Sequence, residues 1–109
     1  MKGVVPFEQC LRLDVLEWAQ ATFHRAPGEV EPILKHLQRE VQEMRDSEGR
    51  DPEEFADALM ILWHAAHVAG HEWHAIVAAV HRKLQVNRAR TWGDPDADGV
   101  VEHVRGASP

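Results

Sequence analysis

Apolar residues recur at helical spacing along most of the 109-residue chain. Over residues 7–24, Phe7, Leu11, Trp18 and Thr22 share a face, and "APG" at 26–28 is a stop signal. Over 29–47, Val30, Ile33, Leu34, Leu37, Val41 and Met44 form an apolar stripe centred near Leu37 and Val41. Pro32 falls in the first turn of that segment, where a missing N–H is tolerated. Asp51-Pro52-Glu53-Glu54 then reads as a helix start, with a capping aspartate, a proline and an acidic first turn. The helix it opens, about 52–69, is apolar nearly all round, through Phe55, Leu59, Met60, Ile61, Leu62, Trp63 and Val68. Burial on most of its sides is therefore expected. Gly70 is a stop, a fourth helix is expected over about 71–90, and the tail, 91–109, is turn-rich. No segment alternates as a strand would. The expectation is an all-α, single-domain, four-helix bundle. A helix apolar on all sides is hard to cover with three neighbours, so self-association into a homodimer or homotetramer is expected to complete it.

Composition narrows the partners. Apolar content is 44% and charged content 28%, an ordinary globular balance. A net charge of −6 without a basic run argues against a nucleic-acid polymer. Small phosphates remain open, because a bound cation reverses the local sign. The single cysteine, Cys10, excludes an internal disulfide and fits a reducing cytoplasm. "MKGVVPFEQC" is too poor in apolar residues to read as a signal peptide. The longest apolar-rich run, 58–69, carries His64 and His67 and is too short to span a bilayer. A cytoplasmic protein without membrane association is expected.

Candidate chemistry lies in paired acids. At roughly 100° per residue, His36, Glu40 and Glu43 fall within about 60° of each other on the second helix. Glu54, Asp57, Ile61 and His64 fall within about 80° on the third. Asp57 sits one turn into the most apolar segment, where a buried, unpaired charge costs several kcal/mol. Two i, i+3 carboxylate pairs on two helices can form the oxygen cage that hard divalent ions such as Mg²⁺ require. On the fourth helix, the stripe of Ile76, Ala79 and Val80 continues into Lys83, Asn87 and Arg90, residue types suited to a polyphosphate. The alternatives are a solvated acidic face and favourable charges at a helix C-terminus.

Two other motifs compete. His64, His67, His71 and His74 are spaced like zinc ligands, yet Gly70 breaks the register and no cysteine accompanies them. "DPDADG" opens like a calcium loop, but Arg105 stands where a bidentate glutamate belongs, so a polar turn is expected.

Glu40-x-x-Glu43, Glu54-x-x-Asp57 and then Lys83-x3-Asn87-x2-Arg90 together resemble the MazG-like family of all-α nucleoside triphosphate pyrophosphatases. The tail "RARTWGDPDADGVVEHVR" is similar to its phage-type dATP/dGTP diphosphohydrolase branch. The resemblance covers residues 36–105. It implies a dimeric or tetrameric bundle holding Mg²⁺ or Mn²⁺ through Glu40, Glu43, Glu54 and Asp57. It further implies cleavage of (deoxy)nucleoside triphosphates between the α- and β-phosphates, with Lys83, Asn87 and Arg90 at the phosphate end. The family often doubles its first glutamate, whereas residue 39 here is arginine, which leaves the number of ions and the general base open. Glu40, at the border of stripe and site, is the expected base. His36 and His64 are candidate substrate contacts, and Trp92 could stack on a base or pack as a lid on the core. A non-catalytic oligomerisation module is the competing function.

Overall fold

The computed structural model describes residues 7–105 and contains four helices: α1 (Phe7–Phe23), α2 (Glu31–Asp46), α3 (Pro52–Val68) and α4 (Trp73–Ala89). Each end lies within two residues of the sequence expectation, and the described residues form no strand beyond an isolated bridge between Trp92 and His103. Local chemistry explains the boundaries. The Asp51 carboxylate accepts the Glu53 backbone N–H at 2.9 Å, which caps α3. Gly70, at φ +94°, turns the chain out of α3 in a conformation that favours glycine. None of the helices is long and apolar enough to cross a membrane.

The chain falls into two compact units, Met1–Trp73 and His74–Pro109. In the first, α3 packs against both α2 and α1. Ile33 of α2 meets Ala65 and Val68 of α3, with Val30 and Ile61 against them, and α1 buries Val15, Leu16 and Ala19. Each large aliphatic side chain so buried stabilises by about 1.5–3 kcal/mol. The Gly28 N–H donates to the Val68 carbonyl at 2.8 Å and pins the α1–α2 loop to the end of α3. Arg12 of α1 is buried with its guanidinium 5.0 Å from the centre of the Trp73 ring, which lies edge-on to Trp63 at 6.1 Å. The ring faces supply part of what a carboxylate partner would.

Two expectations about burial need correcting. α3 is covered along one side only: His64, Ala65 and Val68 are buried, while Phe55, Leu59 and Leu62 are each about half exposed, at 50%, 47% and 51%. Contact with α1 and α2 takes up a single stripe of a helix that is apolar on several. On α2 the buried line runs through Ile33 and Glu40, whereas Leu34 and Val41 are exposed. The expected centre near Leu37 and Val41 is thus displaced toward the acids.

In the second unit no residue of α4 is buried. The Trp92 indole N–H donates to the Asn87 carbonyl at 2.9 Å, closing the helix end. The tail then doubles back, as the Gly93 N–H meets the Glu102 carbonyl at 2.9 Å and the Val104 N–H meets the Thr91 carbonyl at 2.7 Å. Trp92 consequently lies edge-on to His103 at 6.1 Å and remains exposed. Asp96 spends its carboxylate on the backbone N–H groups of Asp98 and Val100, so "DPDADG" is the expected turn.

Candidate active site

Glu40 is the organising residue. Only 8% exposed, it projects from the buried line of α2, and its Oε2 atom is buried with no hydrogen-bond partner. Its Oε1 lies 3.6 Å from His36 Nε2, one turn earlier on the same helix. Burial first, then the neighbouring Glu43 carboxylate, then the charges of Asp57 and Glu54, raise its pKa from 4.5 to about 7. The four acids singled out from sequence are therefore near enough to act on one carboxyl group.

The structure reverses one role within that set. Asp57 was expected to be the buried charge, yet it is exposed, and Glu40 is buried instead. Asp57 escapes because the apolar residues around it on α3, such as Phe55 and Leu59, are themselves uncovered. No three His, Cys, Asp or Glu side chains among the described residues are drawn together closely enough to hold a metal ion as they stand. Like charges without a cation between them favour separation, and repulsion by Glu43, Asp57 and Glu54 adds to burial in raising the pKa of Glu40. The donor set nonetheless fits a hard divalent ion: all oxygen, four carboxyl groups, one with an orphaned buried oxygen. The histidine motif offers nothing comparable, since His67 and His71 are exposed and the helix ends between them.

Beside Glu40 opens a pocket of about 230 Å³. His36, Glu40, Asp57 and His64, all marked from the sequence, line it together with Arg25. Its remaining wall is apolar or aromatic: Val15, Trp18, Ala19 and Phe23 of α1, then Pro32, Ile33, Met60 and Ile61. Phe23 lies edge-on to Trp18 at 5.6 Å and 6.0 Å from the His64 ring. The contribution of α1 was missed, because an amphipathic stripe does not distinguish a core wall from a pocket wall; two aromatics near one helix end were the available signal. Arg39 lines a neighbouring basic depression with Arg25, Lys35 and His36.

In the second unit, Arg90 Nη1 donates to Asn87 Oδ1 at 3.1 Å, joining two of the three expected phosphate-binding residues. His103 is held below the usual histidine pKa by burial and then by the charges of Arg90, Arg105 and Lys83, against a smaller opposing pull from Glu102. The returning tail thus gathers His103 and Arg105 with Lys83 and Arg90 into a cationic cluster. Nothing in the sequence pattern had placed His103 there.

Four helices with carboxylate pairs on the second and third define a class, the MazG-like all-α proteins. The structure of a Cyanophage S-2L MazG-like pyrophosphohydrolase, bound to dGDP and three catalytic Mn²⁺ ions per active site, matches with a TM-score of 0.72 at 28% identity, covering 91% of this chain and 94% of that one. The family model for dATP/dGTP pyrophosphohydrolase matches residues 11–108, and the chain belongs to that family. A dATP/dGTP diphosphohydrolase of Salmonella phage PMBT28 is 38% identical over 80% of the chain. The Eaa protein of Salmonella phage P22 is 36% identical over 93% of it. A dATP/dGTP diphosphohydrolase of Cyanophage S-2L is 31% identical over 76% of the chain and 73% of its own length. The chain spans only 28% and 31% of the two Salmonella phage relatives.

Proposed function

We propose that the chain is a single MazG-like domain that hydrolyses purine deoxynucleoside triphosphates between the α- and β-phosphates, releasing monophosphate and pyrophosphate. The observation that carries this reading is Glu40: a carboxyl raised to about 7 by burial first and then by three neighbouring acids, beside a pocket with largely apolar walls. Family membership and the named activities of the relatives support it.

Glu40, Glu43, Glu54 and Asp57 would hold Mg²⁺ or Mn²⁺; the S-2L structure contains Mn²⁺. When bound, the cation neutralises phosphate charge and acidifies water. The chain's own residues do the rest. Glu40, with a pKa near neutrality, accepts the proton of the attacking water. His36, 3.6 Å from its Oε1, steadies the carboxylate. Lys83, Asn87 and Arg90 bind phosphate oxygens and stabilise the departing pyrophosphate. The pocket takes the base, with His64 as a polar contact, and Trp92 adds a substrate contact at the tail. Exposed Leu59 and Leu62, together with an α4 that buries nothing, support completion of the bundle as a homodimer or homotetramer. The protein acts in the cytoplasm, with neither nucleic-acid polymers nor membranes as partners.

The test is a panel of ribo- and deoxyribonucleoside triphosphates with Mg²⁺ and with Mn²⁺, with all phosphate products resolved. Monophosphate plus pyrophosphate, lost in Asp57→Asn, is the expected result. No turnover and no metal binding would favour a non-catalytic oligomerisation module.

A further inference from the structure

His64 is 3% exposed, so each of its ring nitrogens must be matched to a partner or to the pocket it lines. Its Nε2 lies 3.3 Å from Gln20 Oε1 on α1. The other end of the same amide is fixed, because Gln20 Nε2 donates to the Arg25 carbonyl at 2.8 Å. A carbonyl only accepts, so the amide NH₂ must face Arg25 and the amide oxygen must face His64. The hydrogen on His64 is thereby placed on Nε2, and Nδ1 is left with a lone pair. Burial, then the charges of His67 and Arg25, hold the ring below the usual histidine pKa and keep that lone pair unprotonated at neutral pH.

The surroundings say what the acceptor serves. The cavity of about 230 Å³ is smaller than the roughly 300–1,000 Å³ of sites for drug-sized ligands, so it suits one flat ring system and not a whole nucleotide. Trp18 and Phe23 give it an aromatic wall, Ile33 and Ile61 an apolar one. A base entering such a slot meets the polar side chains of Arg25, His36, Glu40, Asp57 and His64, and a buried one left unmatched is costly.

We propose that Gln20 is a positioning residue that sets the His64 tautomer, and that His64 Nδ1 selects bases presenting an N–H at the edge that faces it. The proposal rests on the pocket being the base end of the nucleotide site. Gln20 touches no substrate; it acts through His64. An acceptor discriminates between an amino or ring N–H and a bare ring nitrogen, which is a specificity that apolar walls cannot supply.

The experiment combines ¹⁵N NMR of the histidine rings in the metal-free protein with kinetics on dATP and dGTP. In the wild type, His64 is expected in the Nε2–H form, and its Nδ1 resonance should move when dAMP or dGMP is added without metal. Gln20→Leu should give a mixture of tautomers and raise KM about tenfold, the factor carried by one hydrogen bond, with kcat changed far less. Gln20→Glu should draw a second proton onto His64, visible as a charged ring, and raise KM as well; a merely structural glutamine gives no such signature. Circular dichroism confirms that both variants are folded. A wild-type Nδ1–H form, an Nδ1 resonance indifferent to both bound nucleotides, or Gln20 variants that lower kcat at unchanged KM each overturn the proposal, even if pyrophosphate is released normally. Nucleotide-dependent Nδ1 shifts without any turnover would uphold base selection while removing the pyrophosphohydrolase reading. Failure to bind either nucleotide overturns both.

Discussion

The two units of the chain carry opposite charges and the same problem. In Met1–Trp73 four carboxyl groups lie near enough to interact around a buried Glu40, whose Oε1 lies 3.6 Å from His36 Nε2. In His74–Pro109, burial and then the charges of Arg90, Arg105 and Lys83 hold His103 below the usual histidine pKa, with Glu102 as a partial counterweight. Each arrangement raises the energy of the ligand-free protein, the first more severely because Glu40 is buried. Under the proposed function each would be relieved by a ligand of opposite sign, a divalent cation in one case and a phosphate in the other. A fold that tolerates like charges in two places identifies where its ligands belong more clearly than a fold with every charge paired.

The largest effect should come from breaking the acid set. Asp57→Asn or Glu43→Gln should lower pyrophosphate release by roughly 10²–10⁴-fold, with the helical circular dichroism spectrum retained. Glu40→Gln should do the same and, by removing a buried charge, raise the melting temperature of the metal-free protein above pH 7. Equal melting temperatures for wild type and Glu40→Gln at pH 8 would mean that the carboxylate is hydrated after all.

Next in size is the metal itself. Saturating Mn²⁺ at about one hundred times its Kd should stabilise the folded state by about 2.7 kcal/mol, removable with EDTA. A smaller effect is the pH dependence of the metal-free protein. Glu40 binds its proton more tightly folded (about 7) than unfolded (about 4.5), so its contribution to stability is full below about 4.5 and is lost as pH rises through 7. His64 and His103, both held below the usual histidine pKa, contribute a slope of opposite sign to wild type and Glu40→Gln alike, so the Glu40 contribution is read as a difference. In EDTA the stability of wild type relative to Glu40→Gln should fall between pH 5 and 8, by about 1 kcal/mol or more. A wild-type profile no steeper in its fall than that of Glu40→Gln, so that the difference stays level, would contradict the raised pKa.

On the cationic side, Arg90→Ala should raise KM for triphosphates roughly tenfold or more, because one charged contact and the bond to Asn87 are both lost. Smallest should be Trp92→Phe, which keeps the ring but deletes the N–H bond to the Asn87 carbonyl and costs about 1 kcal/mol of stability. A large rate loss in that variant would give Trp92 a direct substrate role.

What could be read from the sequence was local. The Asp51 cap, the Pro52 start and the Gly70 stop act within one turn, so the helix boundaries emerged nearly unchanged. The i, i+3 acids were legible for the same reason: helical geometry alone puts each pair on one face. What depended on packing between helices was not legible. Whether Glu40 or Asp57 is buried depends on which stripe of α2 meets α3, and a wheel shows a face without showing what covers it. The Gln20–His64 contact joins residues 44 positions apart, and the aromatic wall from α1 depends on the same packing of α1 against α3. His103 reaches the cationic cluster only because the tail doubles back onto Thr91 and Gly93.

Calorimetric titration of Mn²⁺ into the metal-free protein at pH 7, repeated in buffers of different ionisation enthalpy, counts the protons displaced by the cation. With the Glu40 pKa near 7, about half a proton should leave that carboxyl for each protein that takes up metal, and none should leave in Glu40→Gln, whose affinity should also be weaker. Binding of equal strength in both proteins, with no proton released by either, would show that the cation does not sit on Glu40 and would contradict the site proposed for this chain.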